Sequence, residues 1–113
     1  MGKIIKIVKE EEVKGFTKGP GLVKILIDQD KTGSQNIELG KFYLKPNSKT
    51  IPNTHPHSEE AFFILKGEGS MWAGGETSQV AEGDGIYIPA NIEHYFESKE
   101  EGLEFLLILS PPE

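Results

Sequence analysis

Apolar residues fall in short runs separated by glycine, proline and polar residues, with no stretch of convincing helical period. "KIIKIVK" (3–9) is β-branched and predicts an edge strand. "GFTKGPG" (15–21) reads as a turn-rich loop, "LVKILI" (22–27) as a strand and "DQDKTGSQN" (28–36) as a polar turn. "IELGKFYLKP" (37–46) alternates and predicts a strand, and "NSKTIPN" (47–53) a loop. "EAFFILKG" (60–67) is apolar on both faces, as in a buried strand, and "GSMWAG" (69–74) continues as another short one. Short strands follow in "TSQVAEGDG" (77–85), "IYIP" (86–89) and "ANIEHYFES" (90–98). "KEEG" (99–102) then turns the chain into a strong last strand, "LEFLLILS" (103–110). About nine to eleven strands at roughly ten-residue spacing predict an all-β sandwich or barrel.

A length of 113 residues with 36% apolar composition fits one domain, 1–113, with one small core. No run of 18 apolar residues could span a membrane as a helix. The start is too short in apolar residues for a secretory leader, and Lys6 replaces the Ser or Thr of a myristoylation signal. Without cysteine there are no disulfides, thiolate ligands or thiol nucleophiles. A soluble cytoplasmic protein is expected. The net charge of −6 disfavours nucleic acid and anionic membrane as partners. Every basic residue is a lysine, so no bidentate guanidinium can clamp a carboxylate or phosphate. Glu10, Glu11 and Glu12 read as solvated surface, and Asp28-x-Asp30-x-x-Gly33 lacks the later acidic ligand of a calcium loop.

The chemistry concentrates in "PNTHPHSEEAFFILKGEG" (52–69), which holds two of the three histidines. If 56–59 form a four-residue hairpin loop, His55 and Glu60 oppose each other with Cβ atoms about 5 Å apart, suited to one metal ion. Asn53, two positions before His55, joins them, and Phe62 and Ile64 continue the face beyond Glu60. The rival register opposes His57 to Glu60 across Ser58-Glu59. That pair is poorly suited to the positive φ of a two-residue turn, and Pro56 would sit inside the strand. The first register is preferred; His57 is then a loop residue and Glu59 faces solvent.

The spacing Asn53-x-His55-x4-Glu60-x6-Gly67 resembles the first motif of the cupins, G-x5-H-x-H-x(3,4)-E-x6-G, over about 46–67. "GDGIYIPANIEHYFES" (83–98) resembles the second, G-x5-P-x-G-x2-H-x3-N: Gly83, Pro89 and His94 match, while Asn91 stands for glycine and Ser98 for asparagine. The resemblance implies a cupin-type double-stranded β-helix, a jelly-roll barrel, with a metal held by two histidines and a glutamate of the first motif and a histidine of the second. Here His55, Glu60 and His94 match, and Asn53 occupies the first histidine's place. Two histidines and a carboxylate suit one divalent ion, Fe, Mn, Ni or Zn, and an amide oxygen in place of imidazole favours Mn or Fe. Asn53 is either a weak fourth ligand or a hydrogen-bond partner of metal-bound water; His57 could also substitute.

The aromatics Phe42, Phe62, Trp72, Tyr87, Phe96 and Phe105 are first of all core, with Phe62, Trp72, Tyr87 and Phe96 the candidates to shape a substrate pocket. The serines lack a nucleophile elbow, and alternation sends Glu59 and Glu60 to opposite faces, against paired-carboxylate glycoside chemistry. Two functions remain: a metal-dependent enzyme on a small polar molecule, of oxygenase, decarboxylase or isomerase type, or a non-catalytic small-ligand-binding module whose metal is structural or absent. The apolar outer strands, "KIIKIV" and "LEFLLILS", suggest a homodimer that buries edges.

Overall fold

The computed structural model describes residues 4–112. The regular structure is almost all antiparallel sheet: β1 (Phe16–Lys18), β2 (Gly21–Ile27), β3 (Glu38–Leu44), β4 (Glu59–Ala73), β5 (Glu76–Ala81), β6 (Gly85–Ile88) and β7 (His94–Ser110). Neighbours run β1-β2-β3-β7-β4-β5, with β6 added on the free side of the first half of β4.

Seven strands stand where nine to eleven were expected, because two pairs of expected strands are continuous. Residues 60–67 and 69–73 are one strand, and so are 94–98 and 103–110, each bent rather than broken. The bends face each other: the β4–β7 register slips between Ile64 and Lys66 and again between Gly67 and Gly69, opposite the extra residues that end at Gly102. Gly67 has φ +89°, and a Cβ there would lie 2.1 Å from the Gly102 carbonyl oxygen. Only glycine permits both that conformation and that approach.

The bulges also reverse the parity of the buried face. On β4, Glu60, Phe62 and Ile64 point inward before the slip and Met71 after it; on β7, His94, Phe96 and Ser98 are buried, then Leu103, Phe105 and Leu109. The expectation that 60–67 is buried on both faces therefore fails at Phe63, which is 45% exposed on the outer side. The core is aromatic at its centre. Phe42 stacks on Phe105 with ring centroids 5.1 Å apart, and Phe62 meets Phe96 edge to face at 5.0 Å.

Three other local expectations are corrected. "GFTKGPG" contains β1, closed onto β2 by a two-residue Gly19-Pro20 turn whose Gly19 has φ +57°. The turn after β2 winds into a short helix, α1 (Gln29–Thr32), because the Asp28 side chain accepts a hydrogen bond from the Lys31 N–H at 2.8 Å and Gly33 closes the end in the left-handed region. The expected first strand does not form: residues 4–9 pair with no neighbour, and Ile4, Ile5 and Ile7 are exposed, while Lys3 lies outside the described residues. A strand exists only by pairing. The segment is instead fastened just after it. Glu10 begins a 3₁₀ turn and, rather than being freely solvated, accepts from Lys41 Nζ at 3.0 Å and from the Tyr43 hydroxyl, with Lys24 Nζ 3.6 Å away.

Two departures from the cupin pattern become intelligible. Asn91 has φ +64°, a conformation that asparagine tolerates next best after glycine. Ser98 is buried. Its Oγ donates to the Lys45 carbonyl at 2.6 Å and accepts from the Ser48 N–H at 3.0 Å, tying the loop after β3 to β7.

Candidate metal centre

Backbone pairing brings the two motifs together. Asn53 and His94 exchange both backbone hydrogen bonds at 3.0 Å, and the Asn91 N–H donates to the His55 carbonyl at 2.8 Å. Glu60 enters from β4, paired with Leu109 of β7 on one side and Ile88 of β6 on the other. The hairpin expected to oppose His55 to Glu60 is not present: residues 54–58 form a loop without ladder pairing, and the loop is held by 91–94 instead. The two side chains nevertheless meet. His94 Nε2 lies 2.8 Å and His55 Nε2 3.6 Å from Glu60 Oε1. One ligand atom from each of His55, Glu60 and His94 falls within 4.8 Å of the others.

His94 Nδ1 is 2.8 Å from the Ile92 carbonyl oxygen, which can only accept, so Nδ1 carries the proton and Nε2 is turned to the site. Burial pushes the His94 pKa down, but the Glu60 carboxylate and the Ile92 carbonyl outweigh it and hold the imidazole above its ordinary value. Glu60 Oε1 is buried and, despite its closeness to both rings, receives no aligned hydrogen bond. A buried carboxylate oxygen without an aligned donor, facing two imidazoles, has the donor set and the unmet need of a divalent-ion site. The residues present therefore fit a metal.

The amide nitrogen of Asn53 lies 3.0 Å from His55 Nε2, which puts the residue at the rim of the triad, against an imidazole. His57 is exposed in the loop and stands outside the cluster, as does exposed Glu59, which accepts a hydrogen bond from the Tyr87 hydroxyl.

The triad opens into a cavity of about 200 Å³ between β1, β2, β3, β4 and β7. Phe62 and Phe96 line it. Trp72 and Tyr87, expected beside them, do not. Trp72 stacks on Tyr95 on the outer side, and Tyr87 is 60% exposed, in the same rung as outward-facing Ala61. The bulge in β4 explains Trp72: counting alternate residues from Glu60 across it gives the wrong face.

The cavity also holds residues not singled out in the sequence. Phe16, Ile51 and Lys18 are exposed residues of its mouth, and Lys18 is close enough to weaken the proton affinity of His94. Glu38 of β3 lines the same space. One signal in the sequence could have found it. In "ELGKFYL" the alternation that buries Phe42 and Leu44 places Glu38 on the same inward face.

The cupin domain model matches residues 40–109. An uncharacterized protein of Streptomyces coelicolor is 35% identical over 70% of this chain and 74% of its own length. The structure of a predicted oxalate decarboxylase from Thermotoga maritima superposes with a TM-score of 0.81 over 94% of this chain and 99% of that one, at 19% identity. Bacillus subtilis oxalate decarboxylase, studied for its Mn(II) centres, superposes with a TM-score of 0.83 at 21% identity; the match covers 98% of this chain and 31% of that one. At such identities the two superpositions speak to the fold.

Proposed function

The chain belongs to the cupin domain family, and we propose that it is a metal-dependent enzyme acting on a small molecule, of oxygenase, decarboxylase or isomerase type. The observation that carries this reading is the convergence of His55, Glu60 and His94 around a buried carboxylate oxygen that lacks an aligned donor, at the inner end of a cavity open to solvent. These three side chains would hold one divalent ion, with Mn or Fe favoured by an amide in place of a further imidazole at Asn53, by the lack of thiolates and by the Mn(II) centres of the B. subtilis neighbour. When bound, the ion supplies Lewis-acid polarisation of a carbonyl or carboxylate oxygen of the substrate.

The chain's own residues do the rest. The Ile92 carbonyl fixes the His94 tautomer, and the Asn53 amide fixes the edge of His55. Phe62, Phe96, Phe42 and Phe105 form a dry wall that excludes water and receives the apolar part of the substrate. Lys18 at the mouth favours an anionic group there.

The working unit in this reading is one domain over 1–113 that acts in the cytoplasm as a homodimer and leaves nucleic acid and membrane alone. Support for the dimer is the outward row of Leu39, Ile108 and Ala61 beside exposed Phe63, together with the exposed Ile4, Ile5 and Ile7.

Elemental analysis of untagged protein, wild type and His94→Ala, tests the centre. One divalent ion per chain in the wild type, lost in the variant, is expected. A wild type that is metal-free and takes up none of Mn, Fe, Ni or Zn would sink the enzyme reading and leave a metal-free binding module.

A further inference from the structure

Two carboxyl groups face the cavity, and the metal centre uses only one. The pairing register places them. Glu38 of β3 is opposite Leu109 of β7, and Leu109 is opposite Glu60 of β4. Directly paired residues project to the same face, so Glu38, Leu109 and Glu60 form one inward rung, and all three line the cavity. Two strand spacings separate the Cα atoms of the carboxyl residues, about 10 Å. A small molecule seated at His55, Glu60 and His94 thus has Glu38 on its flank.

Glu38 is half-buried and, among the described residues, makes no hydrogen bond or ion pair. The contrast with Glu10 is sharp: that carboxylate, on the outside of the same sheet, has three partners. A carboxyl half-buried beside apolar residues such as Ile25, Leu107 and Leu109 without a partner costs stability, and such costs collect at functional sites.

We propose that Glu38 is the proton-transfer residue of this cavity, acting on a substrate with an acidic hydrogen next to a carbonyl and an apolar, ring-sized body; this rests on the metal-enzyme reading above and narrows it to isomerase-type chemistry. The C–H bond beside the carbonyl breaks, and its proton passes to a Glu38 carboxylate oxygen. The electron pair becomes the C=C bond of an enolate whose charge rests on the carbonyl oxygen. Return of the proton from Glu38 to the enolate oxygen gives the enol and completes a keto–enol isomerisation, with no change of oxidation state and no co-reactant.

The electrostatics of the position agree. Burial first, then the like charges of Asp28 and Glu60, push the Glu38 pKa above the usual carboxylate value, while His55 and Lys31 pull the other way. A base with raised proton affinity is a better acceptor from carbon.

The test compares wild type and Glu38→Gln, loaded with Mn²⁺ and matched for metal by elemental analysis. Both are incubated in D₂O with phenylpyruvate and with phenylacetone, and loss of the α-proton signal is followed by proton NMR. Exchange faster than with free Mn²⁺ is expected in the wild type, and about 100-fold slower in Glu38→Gln. A second readout does not depend on turnover. The folded-state pKa of Glu38 is raised, so the carboxylate destabilises the fold as pH rises through the carboxylate range. In the metal-free proteins, Glu38→Gln should therefore melt at or above the wild-type temperature at pH 7 and lose that advantage at pH 4. Metal-loaded wild type that exchanges neither ketone, a variant that exchanges as fast, or a variant that melts well below wild type overturns the role of Glu38 alone. A wild type that takes up no metal overturns the function reading with it.

Discussion

The same three strands build both ends of the inner face, and the ends could hardly differ more. At the closed end, Leu44 of β3, Leu103 of β7 and Gly67 of β4 form one rung; the leucines are buried and the glycine touches backbone. Ser98 nearby has its hydroxyl fully engaged. At the open end the corresponding rung is Glu38, Leu109 and Glu60, with two carboxyls, an oxygen without an aligned donor and room for a ligand. The ladder is alike at both ends, so pairing does not make the site. What makes it is where packing stops. Close contact at one end supplies the rigidity that lets polar groups stay poorly satisfied at the other.

Phe96, 2% exposed, separates the ends, touching Phe62 and Phe105 and lining the cavity. Phe96→Ala should join them, costing about 3–5 kcal/mol in denaturant unfolding. Gly67→Ala attacks the closed end alone. With positive φ and a carbonyl at 2.1 Å, it should cost about 2–3 kcal/mol while metal content per folded chain is kept. A loss of metal without a loss of stability would show the ends to be coupled differently. Ser98→Ala leaves the Ser48 N–H and the Lys45 carbonyl without this partner, for about 1–2 kcal/mol by the same measurement.

Asn53→His sharpens the open end. It restores the fourth cupin ligand at a position whose side chain already reaches His55, and Mn²⁺ or Zn²⁺ should bind about tenfold tighter by calorimetry. Unchanged affinity would mean that Asn53 points away from the ion when it binds.

The smallest effect belongs to the outer face. Tyr43 and Lys41 hydrogen bonds hold the Glu10 pKa below its ordinary value. The contribution is present above the unfolded carboxylate pKa and lost as pH falls through the lower folded one. Being solvent-screened, it should make Glu10→Gln less stable at pH 7 by less than about 1 kcal/mol, a difference that fades in acid.

The all-β class, the spacing of two motifs and three candidate ligands, His55, Glu60 and His94, could be read from the residues in order. These are legible because they depend on alternation, turn residues and short-range spacing. Which side chains face the cavity follows only from the folded arrangement. A bulge reverses inside and outside for every residue beyond it, and this sent Trp72 outward against expectation. The edge strand expected at 3–9 depended on a partner that local composition cannot provide. Glu38 and Glu60, distant in the chain, share a rung only because both pair with Leu109. Strand register is a long-range choice, made by closing many loops onto one core at once, and no short stretch of residues contains it.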